Sequence, residues 1–284
     1  MKKIDVLKKI EEQYDEFTES QKILGKYILD NYREAAFLSA QELGDTLGFS
    51  DATVIRFSKV LGFNGYTEFK DSIRENIKRQ LSPDTKLLKS MKNFKHKDDA
   101  ITNICKADLK NLEEYLLNIK SERMDQAVDQ IYKAETIYFL GLGTSVIVID
   151  FLAYHMRRMG FRVNVIHHGG LMLFDHLTSI SEKDLLIVAT FPRYSKDSMN
   201  AVLYAKKKGA TVVVITDSEL SEVANKGDIV LTTKTNNTSF FNSYIVPMEL
   251  CNLLLISILE RNKDKIYSSL KENINSMEDF DLFI

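Results

Sequence analysis

Two short runs bring glycines, hydroxyls and a cation together in the way an anion site requires. The first is Gly141-Leu142-Gly143-Thr144-Ser145, at the end of the apolar run TIYFLGLG and the start of a helical pattern. Glycines let backbone approach a ligand closely. A helix start adds free N–H groups and a favourable dipole for negative charge. Thr144 and Ser145 suit a phosphate. A dinucleotide turn would need a third glycine at position 146, where Val146 stands, and an acidic residue after the next strand, which ends instead in His167-His168. No nicotinamide or other cofactor is therefore expected. The second run is Thr190-Phe191-Pro192-Arg193-Tyr194-Ser195, after DLLIVAT. Thr190 and Ser195 supply hydroxyls at its ends. Pro192 removes a backbone donor, and Arg193 adds a fork of donors suited to phosphate or carboxylate. A surface or subunit contact is the competing role for Arg193.

A third run, Ser39 to Phe63, carries a different chemistry. Ser39 can cap a helix holding Leu43 and Leu47, and Gly48 can supply a left-handed turn. Ser50 can then cap a second helix with Val54, Phe57 and Leu61 facing inward. Two short helices joined through a glycine turn define a helix-turn-helix, whose second helix enters the major groove of DNA. Ser50, Asp51, Thr53, Arg56 and Lys59 are left outward. Ser50 and Thr53 can bond a phosphate or base edge, Arg56 can grip guanine, and Lys59 can neutralise a phosphate. A plain helical hairpin with a polar face is the alternative.

The elements that must position these residues fall into two halves. Residues 1–77 read as an all-α bundle, with Leu7, Ile10, Tyr14 and Phe17 and then Ile23, Leu24, Tyr27 and Ile28 at helical spacing. Thr18 and Gln21 resemble a capping box. Residues 78–104, with Pro83 and the basic run Lys89–Lys97, are the expected linker, or else a solvated helix face. Helical period resumes through Ile101, Ile104, Cys105, Leu109, Leu112 and Leu116. From residue 105 to 284 the expectation is a second, α/β domain. TIYFLGLG, RVNVI, DLLIVAT, TVVVITD and DIVLTT are near-continuous apolar runs, separated by helical segments around 144–159, 171–179, 195–208 and 220–226. This pattern predicts a three-layer, doubly wound sheet of five parallel strands, flavodoxin-like in form. The segment Ser243–Arg261 is apolar nearly all round, which suggests burial in a dimer.

Composition agrees with a globular protein of two domains: 284 residues, 44% hydrophobic and 27% charged, with three prolines. No apolar run reaches the roughly 18–20 residues that cross a bilayer. The opening MKKIDVLKKIEEQYDEF lacks the apolar core of a signal peptide, so a cytoplasmic, non-membrane protein is expected. The formal net charge is −2. Acidic side chains exceed basic ones over residues 1–50, and the reverse holds over 51–80, a weak positive footprint on the expected DNA-reading segment. Cys105 and Cys251 lie in apolar helical patterns and read as buried free thiols. His155, His167, His168 and His176 lack the carboxylate spacing of a metal site, so no metal is expected.

The run Leu38-Ser39-Ala40-Gln41-Glu42-Leu43, the run Ser50–Phe57, the run Leu61-Gly62-Phe63-Asn64-Gly65-Tyr66 and the helix through Phe69 and Ile73 resemble the DNA-binding domain of the RpiR/MurR transcriptional regulators. The likeness spans residues 1–77 without an obvious gap. The later half is similar to the SIS (sugar isomerase) domain, the usual partner in that family, which binds phosphosugars through hydroxyls of two loops. The second loop of such domains reads Ser-x-Ser-Gly-x-Thr, so Pro192 and Arg193 replace its middle Ser-Gly. The resemblance implies a dimeric regulator, or a dimer of dimers, that binds an operator in double-stranded DNA and responds to a phosphosugar or related anion. It also raises two alternatives, a sugar-phosphate isomerase with an accessory helical domain and a regulator whose second domain only dimerises. Glu249 matches the region where some SIS isomerases place an acid or base; a solvated or interfacial carboxylate is its other reading, and no catalytic residue is expected.

Overall fold

The structure is a computed structural model that describes residues 5–80, 82–93 and 97–278. Residues 94–96 of the basic run, and the first residues of the N-terminal segment, lie outside the described residues. The chain divides into two compact units, Met1–Lys92 and Asn93–Ile284, a division that falls inside the 78–104 segment.

The first unit consists of α1 (Val6–Gln13), α2 (Glu19–Asp30), α3 (Tyr32–Ala35), α4 (Ala40–Leu47), α5 (Asp51–Val60), α6 (Tyr66–Gln80) and α7 (Pro83–Asn93). The apolar stripes of α1, α2, α4, α5 and α6 converge on one core, in which Ile10, Leu24, Ile28, Leu43, Val54, Phe57, Leu61, Phe69 and Ile73 are buried. Aromatic edges and faces organise it. Phe57 lies 5.3 Å from Phe17 and 6.2 Å from Phe69, and Phe69 lies 5.5 Å from Phe63, all T-shaped. Such pairs add roughly 0.5–1.5 kcal/mol each beyond their burial. Helix starts are fixed locally. Gln21 Oε1 accepts the Thr18 N–H at 3.0 Å. Ser39 Oγ accepts from Glu42 N (3.1 Å) while Glu42 returns the bond to Ser39 N (2.7 Å).

Gly48, at φ 74°, ends α4 in the left-handed conformation and turns the chain into α5. Gly44 does a separate job on the same turn. A Cβ there would lie 2.5 Å from the Phe49 carbonyl oxygen, so glycine alone lets α4 pack on the start of α5.

The second unit holds α8 (Lys97–Asn118), α9 (Ser121–Lys133), β1 (Ile137–Gly141), α10 (Val146–Arg158), β2 (Val163–Ile166), α11 (Leu171–Leu177), β3 (Leu185–Ala189), α12 (Lys196–Lys207), β4 (Thr211–Thr216), β5 (Ile229–Thr232), α13 (Ile245–Arg261) and α14 (Lys263–Glu278). The sheet order is β2-β1-β3-β4-β5, all parallel. Alternate residues feed two cores, because successive side chains of a strand point to opposite faces. Ile137, Phe139, Leu185 and Ile187 pack toward α9, α10 and α13. Tyr138, Leu140, Leu186 and Val188 pack toward α11 and α12. The three-layer parallel architecture is the one expected.

Three expectations change. The helix at 220–226 is only a 3₁₀ turn, Ala224–Lys226, because Ser221 Oγ takes the Ala224 N–H at 3.1 Å and Gly227 ends the turn at once. Cys251 is buried, and burial pushes its thiol up to about 12, but Cys105 is exposed. It shares with Ile101 and Leu109 a face of α8 that the described residues of the chain leave uncovered. Finally, α13 finds its many-sided burial among α8, α9 and α10 of the same unit. Its apolar circumference therefore does not by itself require a partner, although Ile256 stays 56% exposed.

Gly44→Ala should destabilise the first unit by about 1–3 kcal/mol, since backbone must shift to admit the methyl group. Gly65→Ala, where an added Cβ meets nothing within 4 Å, is the control. Urea denaturation of the full chain compares them; equal midpoints would show that the close approach at Gly44 is not under steric constraint.

Candidate DNA-reading helix and ligand loops

The outer face of α5 is built from its own first turn. Ser50 is the N-cap and accepts the Thr53 N–H at 3.4 Å. Its hydroxyl also lies 3.0 Å from Thr53 Oγ1, which in turn accepts from Arg56 Nη2 at 3.2 Å. Ser50, Thr53 and Arg56 thus form one chain of hydrogen bonds that orients the guanidinium along the helix. Asp51 accepts the Ala52 N–H at 2.6 Å, which places its charge at the helix start, where the dipole favours it. Ser50, Asp51, Arg56 and Lys59 are exposed and Thr53 is half-buried, while Val54 and Phe57 are buried on the opposite side. Among the described residues no carboxylate pairs with Arg56 or Lys59. Two such cations on an outward helix face can meet phosphates and the acceptor atoms of guanine.

The ligand loops are placed by the sheet. Strand order reverses at β1 and β3, which pair directly, with Gly141 opposite Ala189. The loops after those strands therefore leave the carboxyl edge side by side, at the switch point where open α/β sheets bind ligands. Gly141 is buried, and a Cβ there would lie 2.8 Å from the Ser145 carbonyl oxygen, so the first loop can fold back only over glycine. Gly143 (φ 59°) and Thr144 are exposed, and Ser145 is buried.

In the second loop Thr190 is buried, its N–H bonded to the Ile215 carbonyl at 2.9 Å. Ser195 caps α12, accepting the Asp197 N–H at 3.1 Å, and keeps its hydroxyl hydrogen to donate. Arg193 is exposed with φ 77°, and it is the one non-glycine residue with positive φ among the described residues. It occupies the glycine position of the SIS pattern, so the loop keeps a glycine conformation and loads it with a cation. A left-handed residue with a Cβ costs on the order of 1 kcal/mol, and such costs concentrate at ligand sites. No carboxylate pairs with Arg193 among the described residues.

Other residues join the loops without any periodic signal to announce them. Tyr244, just before α13, brings its hydroxyl 2.6 Å from Thr144 Oγ1 and sets its ring edge-on to Phe191 at 5.4 Å. It thereby links the first loop to the second. Tyr194 donates to Asp217 at 2.7 Å, and Asp197 accepts the Gly170 N–H at 3.0 Å. His167 Nε2 sits 2.7 Å from Asp150 Oδ1. His155 packs against Phe151 and Tyr154 on α10, whereas His168 and His176 are exposed. Among the described residues no three His, Cys, Asp or Glu side chains converge as metal ligands. Glu249 is half-buried; it accepts from Asn252 at 3.2 Å and is close enough to Tyr115 for its charge to add to the burial that pushes that phenol up to about 12.

A helix-turn-helix bundle joined to a doubly wound sheet with hydroxyl loops at its switch point defines a class, the ligand-responsive DNA-binding regulator. Residues 4–80 match the helix-turn-helix domain of the rpiR family, and residues 130–257 match the SIS domain. The chain belongs to the RpiR/MurR family of transcriptional regulators. It is 27% identical over 281 residues to an HTH-type transcriptional regulator of Thermotoga maritima, covering 96% of each chain. It is 26% identical over 260 residues to another from Clostridium perfringens, covering 89% of this chain and 90% of that one. Among solved structures, the sugar isomerase domain of an RpiR transcription factor from Sphaerobacter thermophilus matches with a TM-score of 0.59 at 28% identity, over 61% of this chain and 97% of that one. NanR of Vibrio vulnificus, solved with ManNAc-6P, shares the fold over 96% of this chain and 97% of its own, with a TM-score of 0.65 at 20% identity. The chain is a DNA-binding regulator of this family, and among its described residues no helix is long and apolar enough to cross a membrane.

Replacing Arg193 by glycine should remove the left-handed strain, offset partly by glycine's greater freedom in the unfolded chain, for a net gain of up to about 1 kcal/mol. A lower thermal midpoint in Arg193→Gly would mean that Arg193 makes a stabilising interaction instead of bearing strain.

Proposed function

We propose that this chain represses or activates carbohydrate genes by placing α5 in the major groove of an operator, under control of an anionic sugar bound between the two loops. The observation that carries the reading is the set of cations that have no carboxylate partner among the described residues. Arg56 and Lys59 stand on the outer face of α5, and Arg193 stands on the loop that carries Thr190 and Ser195, after the strand paired with the one that leads to Thr144. In this reading Ser50, Asp51, Thr53, Arg56 and Lys59 contact DNA. Gly141, Gly143, Thr144, Ser145, Thr190, Arg193 and Ser195 form the effector site. Pro192 and Arg193 shift that site toward a ligand with an accessible phosphate or carboxylate, which the guanidinium receives in two parallel hydrogen bonds. ManNAc-6P, the ligand in the NanR structure, belongs to that chemical class. Residues 1–77 serve as the reader, 78–104 as the connection and 105–284 as the sensor. A homodimer, or a dimer of dimers, matches a palindromic operator, and the uncovered apolar face of α8 offers Ile101, Leu109 and Leu116 to a second copy. Such a regulator works beside the chromosome, in the cytoplasm. The effector acts by favouring one arrangement of the paired readers over another.

Arg56→Ala should weaken binding to an operator selected from random duplexes by about 1–3 kcal/mol and relax the preference at one base pair. Unaltered affinity and preference would remove Arg56 from the reading face. For the sensor, thermal shift against phosphosugars and sugar acids, ManNAc-6P and fructose 6-phosphate included, should find a ligand that raises stability by about 2.7 kcal/mol at a hundred times its Kd. The same ligand should lose most of that effect on Arg193→Ala. An empty panel would favour a domain that only dimerises, and a hit insensitive to Arg193→Ala would move the anion elsewhere.

A further inference from the structure

Beside the exposed face of α5 runs an open cleft of about 630 Å³, walled on its far side by the start of α2. Its lining is chemically one-sided. Arg56 and Lys59 contribute two cations, Thr18, Ser20 and Thr53 three hydroxyls, Gln21 an amide and Val60 an apolar strip. Among the described residues no carboxylate lines it. The nearby Glu19 is turned to Lys22, 3.7 Å away. Arg56 bonds a neutral oxygen, that of Thr53, at 3.2 Å. Gln21 has already used its carbonyl oxygen on the Thr18 N–H, so its amide hydrogens are left to donate.

A concave surface of donors and cations without an anionic acceptor selects an anion. Val60, 49% exposed, and the edge of Phe57 add an apolar floor that a bare inorganic ion would not need. A deoxyribose–phosphate strand presents both properties in alternation. We propose that this cleft seats one sugar–phosphate strand of double-stranded DNA, flanking the groove that α5 reads, with Ser20 and Gln21 of α2 touching the strand in addition to the residues of α5. The proposal rests on the reading of α5 as the groove-entering helix. It gives α2 a function beyond support of the core. Arg56 lies on the border between groove and backbone, and Thr53 holds it there.

The test uses the full-length chain and a random-sequence DNA duplex, with affinity followed by fluorescence anisotropy across a range of salt. Gln21→Glu is the informative variant, because glutamate at this position accepts the same Thr18 N–H and keeps the helix start. It should leave the thermal midpoint unchanged or higher, weaken DNA binding about tenfold, and make the slope of log K against log salt shallower by about 0.9 for each phosphate that is no longer neutralised. Gln21→Lys should bind severalfold more tightly. Thr67→Glu, an exposed site at the start of α6 with the same change of charge, should lower affinity less than about twofold by long-range field alone. If Arg56→Ala weakens binding but Gln21→Glu matches wild type, or falls no further than Thr67→Glu, the cleft is not a backbone seat although α5 still reads DNA. If neither Arg56→Ala nor Gln21→Glu alters binding, the DNA-reading role of α5 falls and the proposal falls with it.

Discussion

The parallel pairing of β1 with β3 is the constraint on which the second unit depends. Both strands are buried along their whole length on both faces, so each backbone N–H and C=O must find its partner in a neighbouring strand. Once Ile137 is in register with Leu185 and Gly141 with Ala189, the exits of the two strands are fixed side by side. Everything that makes the edge a candidate site follows from that register. Thr144 comes within reach of Tyr244, Tyr244 meets Phe191, and the Arg193 loop stands next to the glycine turn. A slip of one residue would reverse the faces of every side chain in the strand and separate the loops.

The first unit meets an equivalent demand with helices. Phe57 anchors α5 between Phe17 and Phe69, and that burial holds the opposite face outward. The same helix therefore carries stability on one side and exposed charge on the other. Gly44 and Gly48 make the geometry possible, one by absence of a side chain and the other by its backbone conformation. The hydrogen-bond chain from Ser50 through Thr53 to Arg56 then restricts where the guanidinium goes, which reduces the entropy it would give up on meeting an acceptor.

Both units keep local choices that a sequence optimised for stability alone would avoid. Arg193 holds a left-handed backbone where glycine would fit without strain. Arg56, Lys59 and Arg193 have no carboxylate partner among the described residues, in a chain with an acidic excess overall. Such departures concentrate at functional sites because a ligand, not the protein, supplies the missing partner.

Periodicity and local chemistry were enough to read most of the architecture. The bundle, the five strands and the helices between the first four of them follow from spacing, because burial on one face or two dictates which positions are apolar. Caps at Thr18, Ser39 and Ser50 and the turn at Gly48 were legible for the same reason, since each is settled within a few residues of chain. Other features depend on residues distant in sequence, and no local signal reports them. Tyr244 comes to Thr144 across a hundred positions, and Asp197 comes to Gly170 only because α12 and α11 cover the same face of the sheet. Cys105 has the apolar neighbours of a buried thiol yet stands exposed, and α13 has the composition of an interface yet is packed by its own chain. Composition states that an apolar surface must be covered. Which surface covers it is decided by where the chain returns, and that is a property of the folded molecule.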